Sequence, residues 1–355
     1  MLSIFSPSLF SGSMQRYRKV AAFSAAGSIH AIAISLDGQL TSNEVTAMTH
    51  LESRGIVSST VWMKTKHTFA ETLCYGTGSG YIVFIRSSPI NKQFQEICAH
   101  RLGLGFEITC LAWDLSTPGA SCIAIGTCDN VVQIQSVFAV CFDNTVPKEI
   151  SSVDHRNLLH TCYCRQIVVT YFRNRVKMSR KDRSILSEYR CQSVIGSASV
   201  YLKKGMFIID NATNSFTMYH LDGGEPIRTF ITDPPSIQVP KQVAFGEDYR
   251  IVVGRSNKGT VFVFDRRTGN ILDTIQHASA TLVQTIALHD LSGQCIIACT
   301  SPPVDRKKAL ITIWTHQYNV RKEKSTSTKS SSSRRNLSVV YIPYVCVTPL
   351  FIQTD

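Results

Sequence analysis

The sequence predicts an all-β chain assembled from repeated four-stranded antiparallel units, and three observations carry that reading. Residues 240–276, PKQVAFGEDYRIVVGRSNKGTVFVFDRRTGNILDTIQ, alternate short β-branched or aromatic runs with the turn-forming pieces GEDY, SNKG and RRTGN. The pattern returns at a spacing of about 43 residues, from Ala244 to Ala287, which suits a repeat architecture. A unit of about 37 residues makes a sheet too small to cover its own faces, so copies must stand beside one another.

Taken in order, residues 1–15 form a leader without a defined element, and Arg16 opens the first strand-like run. Unit one is SIHAIAISLDGQL, an alternating strand closed by the Asp37-Gly38 turn. From Ala33 to Val61 it spans about 28 residues, so it lacks about two strands of the repeat. Unit two, 57–96, has SSTVWM as its first strand and ETLCYGTGSGYIVFIR as its central hairpin. Gly76-Thr77-Gly78-Ser79-Gly80 imitates a phosphate loop, but no lysine or helix follows, and a hairpin turn explains it. Unit three places His100 in the entering loop, then EITCLAWD, SCIAIGT, a turn at Cys128-Asp129-Asn130, and VVQIQSV. Unit four runs from PKEISSVD to about Lys181, with strands around Arg173-Asn174-Arg175. Unit five, SASVYLKKGMFIIDNATNSFTMYHLDGGEPIRTF, turns at 211–214. Units six and seven are the stretch quoted above and VQTIALHDLSGQCIIACTSPPVDRKKALITIW.

G-x-x-x-x-G-T-V-F-V-F-D followed by R-R-T-G resembles the C-terminal half of a WD-repeat blade, with Phe264-Asp265 in the Trp-Asp place. Unit seven keeps Trp314 in that slot, with Thr315 for the aspartate, and His277 stands where the family has its loop histidine. The chain is thus similar to the divergent WD-repeat β-propellers common in fungi. That resemblance implies a seven-bladed propeller over 16–316 with a shortened first blade. It also implies that 16–23 completes the last blade, since closure removes an open sheet edge. His100, Asp129, Phe264, Asp265, His277 and Trp314 become structural blade positions. Turns between second and third strands, with the loops entering each blade, form the expected contact rim, which includes Arg173, Arg175, Arg255 and Lys258.

An apolar content of 44 % is ample for a core. The net charge of +12 is local. Residues 165–190 hold eight Lys/Arg against Asp182 and Glu188, and residues 316–335 hold six against Glu323. A nucleic-acid binder would align its basic residues over one face, so that class is disfavoured. The twelve cysteines sit largely in strand-like runs as small hydrophobes, and the N-terminus lacks a basic signal region. A reducing, cytoplasmic location is expected, with nuclear import through Arg321-Lys322 and Arg334-Arg335 as the second reading.

Beyond the array, 317–335 reads as a basic Ser/Thr-rich linker and 336–355 as an apolar tail. Ser338, downstream of Arg334-Arg335, is a candidate phosphoacceptor. The tail is too short to span a bilayer and holds Pro343 and Pro349, so peripheral membrane contact or docking on the array is expected. His155, His160, Cys162 and Cys164 are the one compact set of metal-ligand types, but a C-x-C pair fits structural zinc poorly. No catalytic residue, metal or cofactor is assigned, and Asp210-Asn211 is read as an Asx-type turn. The expected function is a non-catalytic scaffold for protein or peptide partners, monomeric within larger complexes. The alternative is attachment to an anionic membrane or nucleic acid through 165–190 and 316–335.

Overall fold

The computed structural model describes residues 15–25, 29, 31–34, 40–47, 52–63, 72–87, 94–114, 122–129, 131–136, 153–154, 158–163, 166–171, 175–180, 185–191, 195–234, 240–278, 281–303, 308–319 and 337–341. Among them every regular element is a strand except two single 3-10 turns, Glu52–Arg54 and Leu202–Lys204. The chain opens with β1 (Arg18–Ala25), β2 (Ile32–Ile34) and β3 (Leu40–Ala47). Sheet two is β4 (Val57–Met63), β5 (Thr72–Thr77), β6 (Tyr81–Ser87) and β7 (Phe94–Arg101). Sheet three is β8 (Ile108–Asp114), β9 (Cys122–Thr127), β10 (Val131–Ser136) and β11 (Val153–Asp154). Sheet four is β12 (Leu158–Tyr163), β13 (Gln166–Tyr171), β14 (Arg175–Arg180) and β15 (Ile185–Arg190).

Sheet five is β16 (Ser197–Tyr201), β17 (Met206–Asp210), β18 (Ser215–His220) and β19 (Arg228–Ile231). Sheet six is β20 (Val243–Gly246), β21 (Ile251–Arg255), β22 (Thr260–Asp265) and β23 (Ile271–Gln276). The last strands are β24 (Thr285–Leu291), β25 (Gln294–Ser301), β26 (Ala309–Gln317) and β27 (Leu337–Tyr341). Sheets two to six run in sequence order, and each is an antiparallel meander.

Two sheets break the local order. Sheet seven runs β24-β25-β26-β1, so the N-terminal strand pairs antiparallel with β26, from Arg18 opposite Thr315 to Ala25 opposite Ala309. Sheet one runs β2-β27-β3. Its second place is held by the C-terminal strand, antiparallel to β2 and parallel to β3. The stretch read from sequence as an apolar tail therefore supplies a strand to the unit that looked two strands short. Two boundaries also move. Val153 and Asp154, assigned by sequence to unit four, pair with β10 and close sheet three, and sheet four extends past Lys181 to Arg190.

Apolar clusters form between sheets. Ile251, Val253, Val261 and Val263 of sheet six pack with Ile286, Cys295, Ile297 and Trp314 of sheet seven. Ile296, Ile311 and Ile313 of sheet seven meet Ile32 and Ile34. Ala31 and Ala33 in turn meet Leu73, Tyr75 and Val83 of sheet two. Equivalent clusters join sheets two and three and sheets five and six, and β12 lies against both β8 and β16. Each first strand thus touches the first strands on either side of it.

One interior carboxylate ties the N-terminus to two sheets. Glu247, fully buried, accepts hydrogen bonds from the Arg16 guanidinium and from the Tyr17 hydroxyl (2.9 Å), and it lies 2.8 Å from His316 Nδ1. Tyr17 is also fully buried, and its backbone N–H donates to Asp273 (2.7 Å). The turn carrying the carboxylate is strained: Glu247, Asp248 and Tyr249 have φ of 52°, 52° and 68°. Left-handed backbone costs a non-glycine residue about 1 kcal/mol or more. Asp290 of sheet seven holds the turn in place by accepting the Glu247 and Asp248 N–H groups at 3.0 and 2.9 Å.

Tyr17→Ala removes a buried ring and leaves Glu247 short of a donor, so it is expected to lower stability by about 3–5 kcal/mol in urea unfolding. Ser24→Ala, on the exposed side of β1, should stay within about 0.5 kcal/mol.

Candidate functional site

At one end of the strands the turns of sheets two, three and six interlock with the loops entering sheets two, three and seven. Gly78 N–H donates to Ile56 C=O (2.7 Å), Leu102 N–H to Gly80 C=O (2.8 Å), and Gly105 N–H to Leu102 C=O (2.8 Å). Further on, Cys128 N–H donates to Glu107 C=O (2.9 Å) and His277 N–H to Gly259 C=O (3.0 Å). The Gly76–Gly80 run carries the end of β5 and the 78–80 turn into β6. Gly80, at φ +75°, is required: a Cβ there would lie 2.5 Å from the Gly105 Cα and 2.8 Å from the Phe106 carbonyl oxygen.

This tight backbone displays apolar side chains to solvent. Leu104 is 82 % exposed, Phe106 41 % and Ile56 38 %. Sequence reasoning missed them. L-G-L-G-F resembles an ordinary connecting loop, and only the glycine contacts show that it is held fixed with its leucine outward.

The rim residues expected from the family resemblance divide. Lys258 is exposed on the β21–β22 turn, its N–H donating to Ser256 Oγ (3.1 Å). Arg255 is a correction. It is 9 % exposed and turns inward, donating from Nη1 to Val283 C=O and from Nη2 to Pro240 C=O, both at 2.6 Å. Those donors join the loops entering sheets six and seven. Burial lowers its pKa to about 10, which still leaves it charged at neutral pH. Arg173 and Ser338's neighbours Arg334 and Arg335 lie outside the described residues, Arg175 opens β14, and Ser338 lies in β27.

The blade positions resolve as follows. His277 sits in the loop entering sheet seven, buried, with Nδ1 2.6 Å from Thr312 Oγ1, and the Trp314 indole N–H donates to the same oxygen (2.9 Å). His100 does not sit in a loop: β7 runs on to Arg101, and His100 pairs with Ile82. Asp129 accepts from Thr127 Oγ1 (2.5 Å) in the turn after β9. Phe264 is fully buried, and Asp265 accepts the Thr268 N–H (2.6 Å) and hydroxyl (3.0 Å).

Asp210 also departs from the sequence reading. The Asx turn belongs to Asn211, whose Oδ1 accepts from the Thr213 and Ser215 N–H groups. Asp210 is fully buried and ion-paired with buried Lys241 at 2.8 Å. Lys241 also donates its own N–H to Asp210 (2.7 Å) and Nζ to Thr213 C=O (2.6 Å). Burial raises the Asp210 pKa, against the pull of Lys241. Of the metal-ligand types, His160 and Cys162 alternate along β12, while His155 and Cys164 lie outside the described residues. Among the described residues no three His, Cys, Asp or Glu gather as a metal site, and no helix is long and apolar enough to cross a membrane.

No family model and no curated protein match the chain in sequence. Among solved structures it is similar to Saccharomyces cerevisiae Sqt1, at 11 % identity over 73 % of each chain with a TM-score of 0.53. At that identity the likeness is one of fold, and it supports a WD-repeat-like propeller.

Burial, with a smaller part from Lys19, lowers the His277 pKa from 6.5 to about 4. Between those values the unfolded chain holds a proton that the folded chain does not, so stability must fall as pH drops through that window. The loss from this residue is about 3 kcal/mol, at roughly 1.36 kcal/mol per unit. His277→Asn should flatten the stability–pH curve by about that amount between pH 4 and 6.5, measured by urea unfolding across pH.

Proposed function

We propose that the seven sheets close into a seven-bladed ring, sealed by β1, and that the ring is a non-catalytic scaffold for protein or peptide partners. Closure is supported by the chain of neighbouring first strands, in which β2 touches both β24 and β4. The observation that carries the function is the apolar loop Leu104–Phe106 with Ile56, exposed on a backbone already fixed by hydrogen bonds. A rigid display of this kind binds without a large ordering cost, and exposed apolar patches mark interaction sites.

The buried ionisable groups support binding over turnover. Glu247, Asp210, Lys241, Arg255 and His277 are each committed to internal hydrogen bonds that join loops or sheets. The cysteines fit a reducing, cytoplasmic compartment. Cys74, Cys110, Cys191, Cys295 and Cys299 are buried thiols in no disulfide, and burial raises the Cys191 and Cys299 thiols to about 12, which leaves them unreactive. The ring acts as a monomer within larger assemblies.

The test is quantitative affinity capture with the intact chain against the Leu104→Asp/Phe106→Asp double variant. The same partners should be recovered at least about tenfold less with the variant, while its melting temperature stays within about 2 °C, since neither change reaches the core. Equal recovery would remove the function from this loop. A captured set that is instead lost in high salt would favour attachment through the basic stretches.

A further inference from the structure

We propose that the second-strand place in sheet one is a strand-accepting site, in which an extended β-branched segment of a partner protein competes with β27. The site is distinct from the Leu104–Phe106 loop and does not rest on that loop's binding role.

Three observations assign it. First, the wall of the slot is packed against both neighbouring sheets. Ile32 and Ile34 of β2 are buried against Ile311 and Ile313 of sheet seven, while Ala31 and Ala33 are buried against Leu73 and Val83 of sheet two. The adjacent sheets therefore hold β2 from both sides. Second, β27 is a weak occupant. It meets β2 over only three pairs, Ile32–Tyr341, Ala33–Val340 and Ile34–Val339. Its contact with β3 is parallel, with a register shift between Leu337 and Val339, and parallel pairing is the less stable kind per residue.

Third, β27 is a tethered strand and no part of a local meander. Residues 318–336, polar and rich in Ser, Thr, Lys and Arg, separate it from β26. That length reaches about 60 Å when extended, enough to release β27 without disturbing sheet seven. In sheets five and six, by contrast, each strand is joined to the next by a short connection. An edge paired only to a strand from the far end of the chain is open to strand addition, in which backbone hydrogen bonds give affinity and alternate side chains give selectivity. The occupant in place, Leu337-Ser338-Val339-Val340-Tyr341, sets the chemistry of the competitor: uncharged, β-branched at its centre and aromatic at its end.

The experiment places a specific protease site within 325–333 of the full chain and follows a fluorescent peptide, RNLSVVYIPY, by anisotropy. After cleavage and dialysis the nicked chain is expected to bind the peptide. The intact chain should bind it about 100-fold more weakly, because its own strand is present at high effective concentration. The same peptide carrying Val340→Pro, which removes a ladder N–H, should not bind. Equal binding to intact and nicked chains, or equal binding of the proline peptide, would overturn the proposal. So would a nicked chain that forms a dimer by exchanging β27, since the slot would then belong to a second copy. Should cleavage unfold the protein, amide exchange decides: full-length Val340→Pro must speed exchange at 32–34 and 45–47 while 251–265 stays protected. Unchanged exchange there overturns the proposal.

Discussion

A four-stranded antiparallel sheet of five- or six-residue strands has two faces and the means to cover neither. Everything in this chain follows from that constraint. Ile251, Val253, Val261 and Val263 are fully buried only because Ile286, Ile297 and Trp314 of the next sheet lie over them, and the same dependence repeats from sheet to sheet. An array of this kind has two terminal sheets with an open face unless the chain's ends are brought together. The N-terminus is brought back across the chain: β1 lies along β26, and Arg16 and Tyr17 reach Glu247 across about 230 residues of sequence.

The same constraint explains why the charged interior is structural. A buried carboxylate is costly unless it is well supplied with donors. Glu247 has Arg16, Tyr17 and His316 around it, and Asp210 has both the N–H and the ammonium of Lys241. Each set draws its members from different sheets or loops, so the polar contacts lock the relative placement that apolar packing alone leaves less specific. Arg255 acts likewise through carbonyls of two entering loops. The loop carrying exposed Leu104 and Phe106 is held separately, by the Gly78–Ile56 and Leu102–Gly80 backbone bonds.

Strand identity was legible wherever the pattern is local. TVFVFD between SNKG and RRTGN is a strand because alternation and turn chemistry agree over a dozen residues, and the structure places it at Thr260–Asp265. The placement of His277 in an entering loop was legible for the same reason. What local pattern cannot carry is pairing at a distance. Nothing in NLSVVY announces that it lies between β2 and β3, some 300 residues earlier. Val153-Asp154 is too short to show a period, so it was grouped with the wrong sheet. Arg255 looked like a rim cation because charge is a surface prior, and only its two carbonyl partners reveal it as an internal tie. His100 was placed in a loop by analogy, while the pairing of β7 with β6 carries the strand past it.

The central claim is that no sheet is stable without its neighbours and that the N-terminal strand completes the set. Amide hydrogen exchange on a chain lacking residues 1–25 tests it most directly. The account predicts that protection falls in β24–β26 and also, by loss of shared faces, in β20–β23 and at 32–34. Loss of protection confined to 309–317, with sheet six and β2 exchanging as in the full chain, would contradict it.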